Sequence, residues 1–404
     1  MSDTIAHPID VAWISSGETG AQNYDEFASE TEVEAAIARH PNSVLGVEMP
    51  QCTPEAVAAE LGFAEALPKA AEQLRRLQSE GHFSRTGDVV APYRITSEAG
   101  TTYGVLLMVD TDQISSAADE PGLVIRNEDV NAETVGERVA LIRSLHHLLS
   151  PVLLVQATDA ADLEDLLAEL VTSLGDPAVH DTDQHGQEHD LWLLSAGEQR
   201  DRLLQLVGAG ELIVADGNHR TLAAQQAGLP RFLALVTTPG SAHIRPYNRL
   251  VERLGMSADE FLQRLTAAGA DVEPWEGEVT VPVLPGTVAV YLEHGRAYAV
   301  TLPAVTGGSV VDRLDHSVVE RVILGDILDL RPHDRIIKYV GGDYPAEWLT
   351  AEVDAGRAEA AILISPVSVE DFLSVNLERL KMPRKSTWFT PKARAGLVLA
   401  ELTG

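Results

Sequence analysis

Glu211-Leu-Ile-Val-Ala215 reads as a compact apolar strand, and Asp216-Gly217 stops it. Residues 221–227 then carry a helical pattern that Gly228 and Pro230 end, and 231–237 returns as a second apolar strand. Strand, tight turn, helix and strand in so short a stretch imply an α/β protein. The rest of the chain alternates in the same way. Helical patterns cover 29–39, 54–80, 132–149, 160–174, 198–209, 257–268, 317–328, 345–355 and 369–379. Strand patterns cover 43–49, 89–96, 102–110, 122–126, 151–156, 279–283, 288–292, 297–302 and 360–364.

With 404 residues, 45% of them hydrophobic, the chain is expected to build at least two packed units. Its 61 acidic residues face 30 basic ones, a net charge of −31. Such a surface repels nucleic acid and anionic membranes, so no nucleic-acid or membrane partner is expected. A small anion binds only where basic groups are gathered locally. Cys52 is the single cysteine, which excludes an internal disulfide and a CxxC zinc site. The first residues carry Asp3 and Asp10 and no apolar signal segment, and no run is long enough to span a bilayer. The expectation is a cytoplasmic protein.

The turn after Ala215 has the geometry of an anion site. A helix N-terminus offers unpaired backbone N–H groups and the positive end of its dipole. Gly217 allows close approach of the backbone, and Asn218, His219, Arg220 and Thr221 sit at the turn. Arg220 can fork onto phosphate oxygens and His219 can donate a further hydrogen bond. Asp216 has three readings: it orients His219, holds a magnesium ion or caps the helix. Glu128 follows one strand pattern and precedes the 132–149 helix, and a carboxylate so placed suits a general base toward a hydroxyl. Near the C-terminus, Met382-Pro-Arg-Lys-Ser-Thr-Trp-Phe-Thr-Pro-Lys392 gathers cations and hydroxyls, among them Lys385, Ser386, Thr387 and Lys392. It lacks the glycine frame of a P-loop. His185-Gly-Gln-Glu-His189 matches the letters of an inverted zinc-peptidase motif, but its glycine and the aspartates around it read as a loop.

The order of these motifs resembles the DUF1015 family. Val214-Ala-Asp-Gly-Asn-His-Arg220 is similar to that family's A-D-G-H-H-R signature, and Met382 to Lys392 to its M-P-x-K-S-T-x-F-x-P-K element. Tyr24-Asp25, Val47-Glu-Met-Pro50, Asn127-Glu128, Leu149-Ser-Pro-Val152, His189-Asp-Leu-Trp192 and Pro246-Tyr-Asn-Arg-Leu250 resemble further family blocks. The middle block is similar in turn to the ParB/sulfiredoxin-like superfamily, whose free-serine kinases use an H-E…D-G-H-H-R module. The resemblance implies a ParB/sulfiredoxin-like nucleotide-binding core within a larger mixed α/β protein. It further implies lobes near 1–120, 121–256 and 257–404, and phosphoryl transfer from ADP or ATP with Mg2+ to the hydroxyl of serine or a related metabolite.

Carried over, Glu128, Asp216 and His219 are the catalytic candidates, and Asp216 is the candidate metal ligand. Gly217, Asn218, Arg220, Thr221, Arg249, Lys385, Ser386, Thr387 and Lys392 are the phosphate-binding candidates. Tyr24, Asp25 and Asn127 are the substrate-binding candidates. Three positions depart from the pattern by losing a histidine, Asn127, Asn218 and Asn248, and Gln22-Asn23 replace two prolines before Tyr24-Asp25. Asparagine keeps a donor and an acceptor but carries no proton in exchange. Asn218 also replaces the cysteine that sulfiredoxin chemistry needs. A non-catalytic nucleotide or metabolite sensor is the alternative function, and a ParB-like nucleic-acid-associated protein a further one.

Overall fold

The computed structural model describes residues 4–98, 100–117, 119–158, 160–332 and 334–403. The fold is mixed α/β, as expected. By compactness the chain divides into two units, 1–242 with 391–404, and 243–390. The stretches 4–120 and 121–242 therefore share one body.

The first unit is built on a ten-stranded mixed sheet. Its middle runs Gly100–Asp110, Arg231–Thr237, Val152–Gln156, Leu212–Asp216 and Val124–Ile125 in spatial order. The central strands are buried along nearly their whole length, which is why they read as unbroken apolar runs rather than alternating ones. Leu107, Leu154, Val214 and Ala234 face a core completed by Leu163 and Leu167 of the helix Ala160–Ser173. A separate four-stranded sheet joins Phe83–Val89, Ile9–Ser15, Val398–Glu401 and His147–Leu148.

Two strand expectations are corrected. The 43–49 stretch forms a short helix, Leu45–Glu48, with all four residues buried. An apolar run this short fits either periodicity, and packing decides between them. The 279–283 stretch makes no strand, and Asp271–Pro274 pairs with Arg296–Thr301 instead. Pro282 and Pro285 bracket Val283, and a proline has no N–H to give a ladder. The long helical pattern at 54–80 is interrupted, giving Pro54–Ala58 and Phe63–Ser79.

The second unit carries a six-stranded antiparallel sheet, ordered Asp271–Pro274, Arg296–Thr301, Thr287–Leu292, Ala360–Ile364, Tyr247–Val251 and Ile337–Gly341. One face packs on the helix Ala258–Ala267 and the segment Val319–Ile327, the other on Ala346–Asp354. His316 is fully buried, and its Nε2 donates to the Tyr247 carbonyl at 3.2 Å. Burial pushes this imidazole down to about 3; the Arg249 charge acts in the same direction and the hydrogen bond opposes.

The native ring is therefore neutral, whereas an unfolded histidine takes a proton near pH 6.5. The stability that the neutral ring contributes is complete above that pH and is lost as pH falls from about 6.5 toward 3. Asp315 acts oppositely: burial lifts it from 3.8 to about 6, so its contribution weakens as pH rises through that interval. Comparing the native chain with His316→Gln isolates the histidine. Urea midpoints at several pH values should show the stability difference shrinking below pH 6.5 by up to about 1.4 kcal/mol per pH unit. A difference that stays constant contradicts a buried neutral ring.

Candidate functional site

Register builds the site. Leu212–Asp216 runs parallel to Val124–Ile125, with Leu212 opposite Val124 and Ile213 opposite Ile125. Parallel strands end on the same side of a sheet. The residues that follow them, Arg126-Asn127-Glu128 and Gly217-Asn218, consequently emerge together. A register shift between Val214 and Asp216, against Val152–Gln156, turns the end of the strand.

Gly217 has φ +102°, in the left-handed region that favours glycine. A Cβ there would lie 2.9 Å from Arg220 Nε and 3.2 Å from Nη2. The glycine thus serves twice, in the turn and as the floor under the guanidinium. The helix Asn218–Gln226 starts at once, so its first N–H groups have no partner within the helix. Thr221 is fully buried and turns its hydroxyl back onto the Gly217 and Asn218 carbonyls, at 3.0 and 2.9 Å, which pins the first turn.

The two departures from histidine meet. Asn218 Nδ2 donates to Asn127 Oδ1 at 2.6 Å, and both residues are buried. The pair bridges the two strand ends through neutral amides. Asn218 Oδ1 is buried with no hydrogen-bond partner among the described residues, so an acceptor is left at the turn. Asn127→Ala and Asn218→Ala should each cost about 1–3 kcal/mol of stability, since each strands a buried amide. The double variant should cost less than the two singles together by at least about 0.5 kcal/mol. Additive losses in denaturant titration would show that the amides do not depend on each other.

Asp216 is held between two cations. Arg220 Nη2 donates to its Oδ2, and Lys392 Nζ lies 3.5 Å from Oδ1. Arg220 Nη1 also donates to Asn23 Oδ1 at 3.4 Å, and Asn23 donates to Glu26 Oε1 at 2.8 Å. Lys392 Nζ is 3.9 Å from that same carboxylate oxygen. These side chains are largely enclosed, so the pairings are screened less than surface ones. His219 Nε2 accepts the Asn131 backbone N–H at 3.1 Å, which ties the 127–131 loop to the turn and leaves the ring proton on Nδ1 in the neutral tautomer.

Glu128 is half-buried. Its carbonyl accepts from Arg126 Nη2 at 3.4 Å, and Arg126 also donates to Ser116 Oγ at 2.9 Å. Burial pulls Arg126 below the usual guanidinium range, against the opposing charges of Asp129, Glu120 and Glu128.

The structure therefore brings Glu128, Asn127, Asp216, Gly217, Asn218, His219, Arg220, Thr221 and Lys392 together in the first unit. Tyr24 is in that unit as well, lining a cavity with Arg220. The side chain of Asp25 lies outside the described residues. Arg249, Lys385, Ser386 and Thr387 belong to the second unit. There Arg249 is fully buried, and its guanidinium donates to Glu320 Oε1 at 2.9 Å and to the carbonyls of Tyr247, Asn248 and Arg384 at 2.9, 3.3 and 3.2 Å. Lys385 Nζ lies 5.5 Å from the Tyr247 ring centroid, Ser386 is buried and Thr387 half-buried. Asn248 accepts the Ile364 N–H at 3.0 Å.

Among the described residues no group of three or more His, Cys, Asp or Glu side chains is arranged to hold a metal ion. Asp216, the one candidate ligand, already balances two cations, so the residues present do not fit a protein-held Mg2+. The 185–189 segment lies in a hairpin: His189 is buried in the strand Glu188–Leu191, its Nδ1 2.6 Å from Tyr93 Oη. No helix among the described residues is long and apolar enough to cross a membrane.

Glu26 and Asn131 escaped sequence reasoning, and Asn23 entered it only as a replaced proline; each acts through geometry.

Comparison with curated proteins gave no match. Among solved structures the chain is similar to a free serine kinase in complex with AMP, at 12% identity over 72% of this chain and 92% of that one, with a TM-score of 0.38. It is similar to a conserved hypothetical protein from Pyrococcus furiosus, at 13% identity over 72% and 95%, with a TM-score of 0.37. SbnI with C-terminal truncation from Staphylococcus aureus matches at 12% identity over 72% and 87%, with a TM-score of 0.38. The family model described as a protein of unknown function, DUF1015, matches residues 17–317. With that match spanning most of its length, and with the Asp216 turn inside it, this chain belongs to the DUF1015 family.

Proposed function

We propose that the first unit binds a nucleotide and transfers a phosphoryl group to the hydroxyl of a small metabolite, with serine or a related amino acid as the acceptor. The observation that carries this reading is the parallel pairing that sets the Glu128 segment beside the Asp216–Arg220 turn. Phosphate oxygens would take the N–H groups of the first turn of Asn218–Gln226, with Arg220 and Lys392 supplying positive charge. Glu128 would accept the hydroxyl proton as that oxygen attacks the terminal phosphorus. The bond from phosphorus to the bridging oxygen breaks, and the shortened nucleotide leaves with the electron pair. Such a site works by positioning and charge compensation. Mg2+ bound to the nucleotide would supply charge neutralisation.

The Asn127–Asn218 pair favours a second reading, a nucleotide sensor without catalysis. It sets neutral amides where a proton-carrying pair is expected. Phosphorus NMR of the full chain with ADP or ATP and a pool of hydroxy amino acids separates the two. A new phosphomonoester signal supports transfer. Nucleotide binding with no such product supports the sensor.

A further inference from the structure

His189-Asp-Leu-Trp192 lies outside the phosphate cradle, yet its histidine is 1% exposed and bonded through both ring nitrogens. It sits on the strand Glu188–Leu191, which pairs with Ala91–Ser97 on one side and with Val179–Thr182 on the other. Tyr93 is equally buried, and its Oη is 2.6 Å from His189 Nδ1. The Arg394 backbone N–H donates to that same oxygen at 3.4 Å. Burial pushes the phenol up, so it keeps its proton.

A phenol oxygen that accepts from Arg394 gives its own proton to Nδ1, and the neutral ring then carries its hydrogen on Nε2. Nε2 lies 3.3 Å from Asp183 Oδ2. Burial raises Asp183, but the hydrogen bonds from His189 and from the Gln187 N–H outweigh it and hold the carboxyl below its usual range. The donors therefore run in one direction, from the Arg394 N–H through Tyr93 and His189 to Asp183.

Arg394 is held a second time. Its Nε lies 2.6 Å from Asp181 Oδ2, both side chains being largely enclosed. Asp181 is the cross-strand partner of His189. A Cβ at Gly20 would lie 2.5 Å from that carboxylate oxygen and 2.8 Å from Arg394 Nε, so the glycine leaves the room that the pair occupies. On one side of Arg394, Ala395 exchanges backbone hydrogen bonds with Ala21 at 2.9 and 3.0 Å. On the other, the Ala393 carbonyl accepts from Asn23 at 3.4 Å, and Lys392 reaches Asp216. A lysine stem is flexible, so the place of its ammonium depends on how the backbone beside it is held.

We propose that His189 is a positioning residue: through Tyr93, and beside Asp181, it fixes the backbone at Arg394 and so sets Lys392 in the phosphate cradle. The clamp stands on these contacts alone, and its use toward phosphate rests on the nucleotide reading.

Calorimetric titration of the full chain with ADP tests it. Tyr93→Phe removes one hydroxyl and should weaken ADP binding about threefold to tenfold. In a Lys392→Met background the same change should add less than about twofold, because the cation it positions is gone. His189→Leu should match Tyr93→Phe. His189→Asn should recover most of the loss, since its amide oxygen can stand where Nδ1 stands and accept the phenol proton. Tyr93→Phe decides the question if the His189 variants do not fold. Hydrogen exchange without nucleotide reads the clamp itself: the amides of 393–396 should exchange about tenfold faster in Tyr93→Phe. Unchanged ADP affinity in Tyr93→Phe overturns the proposal, as does an equal loss in both backgrounds or unchanged exchange at 393–396. A native chain that binds no ADP removes the nucleotide reading and with it the role toward phosphate, and the exchange comparison still decides whether the clamp holds the strap.

Discussion

Replacing Glu128 with glutamine is expected to slow phosphoryl transfer by about 10²–10⁴-fold, the usual contribution of a general base. Glutamine keeps the shape and the hydrogen-bonding reach but cannot take the proton of the attacking hydroxyl. Nucleotide affinity should change by less than about threefold, because the phosphates are assigned to the Gly217–Arg220 turn and to Lys392. The split between rate and binding is the informative part. A variant that retains more than about a tenth of the rate would remove Glu128 from the chemistry. The enclosed Arg126 donates to the Glu128 carbonyl, which ties this segment to the end of its strand.

Arg249→Met is expected to destabilise the second unit by about 3–5 kcal/mol. The guanidinium is fully buried and joins Glu320 to three backbone carbonyls. Removing it leaves the enclosed carboxylate of Glu320 without its guanidinium and takes one donor from each of those carbonyls, of which Tyr247's keeps His316. For a unit of this size the loss corresponds to roughly 10 °C in melting temperature. Methionine fills much of the stem volume, so the loss should reflect the missing charge and donors rather than a cavity. Calorimetry checks it, and because the chain has two compact units the affected transition should be resolved rather than read as one two-state event. A melting temperature within about 2 °C of the native chain would show that the cluster contributes little.

Much of the site was legible because it is local. The strand, the Asp-Gly stop and the helix lie within one short stretch, and their signals are apolar runs and turn residues. Glu128 was read from its place between a strand pattern and a helix and from the motif order, but nothing in periodicity says that Val124–Ile125 pairs beside Leu212–Asp216. The Asn127–Asn218 contact joins positions far apart in sequence, so the departures from histidine looked independent until the structure showed them bonded to each other. Arg138 stands in no motif, and only the structure shows the aromatic rings that enclose it. Leu45–Glu48 and the 279–283 stretch were misread for opposite reasons. The first is too short for periodicity to decide, and in the second the prolines outweighed the valines.

Hydrogen exchange of the full chain with and without ADP tests most directly whether the two strand ends form one nucleotide site. The account predicts slowed exchange at the amides of 217–221 and, in the same titration, across 126–131. Protection confined to other segments, or none at saturating nucleotide, would contradict it.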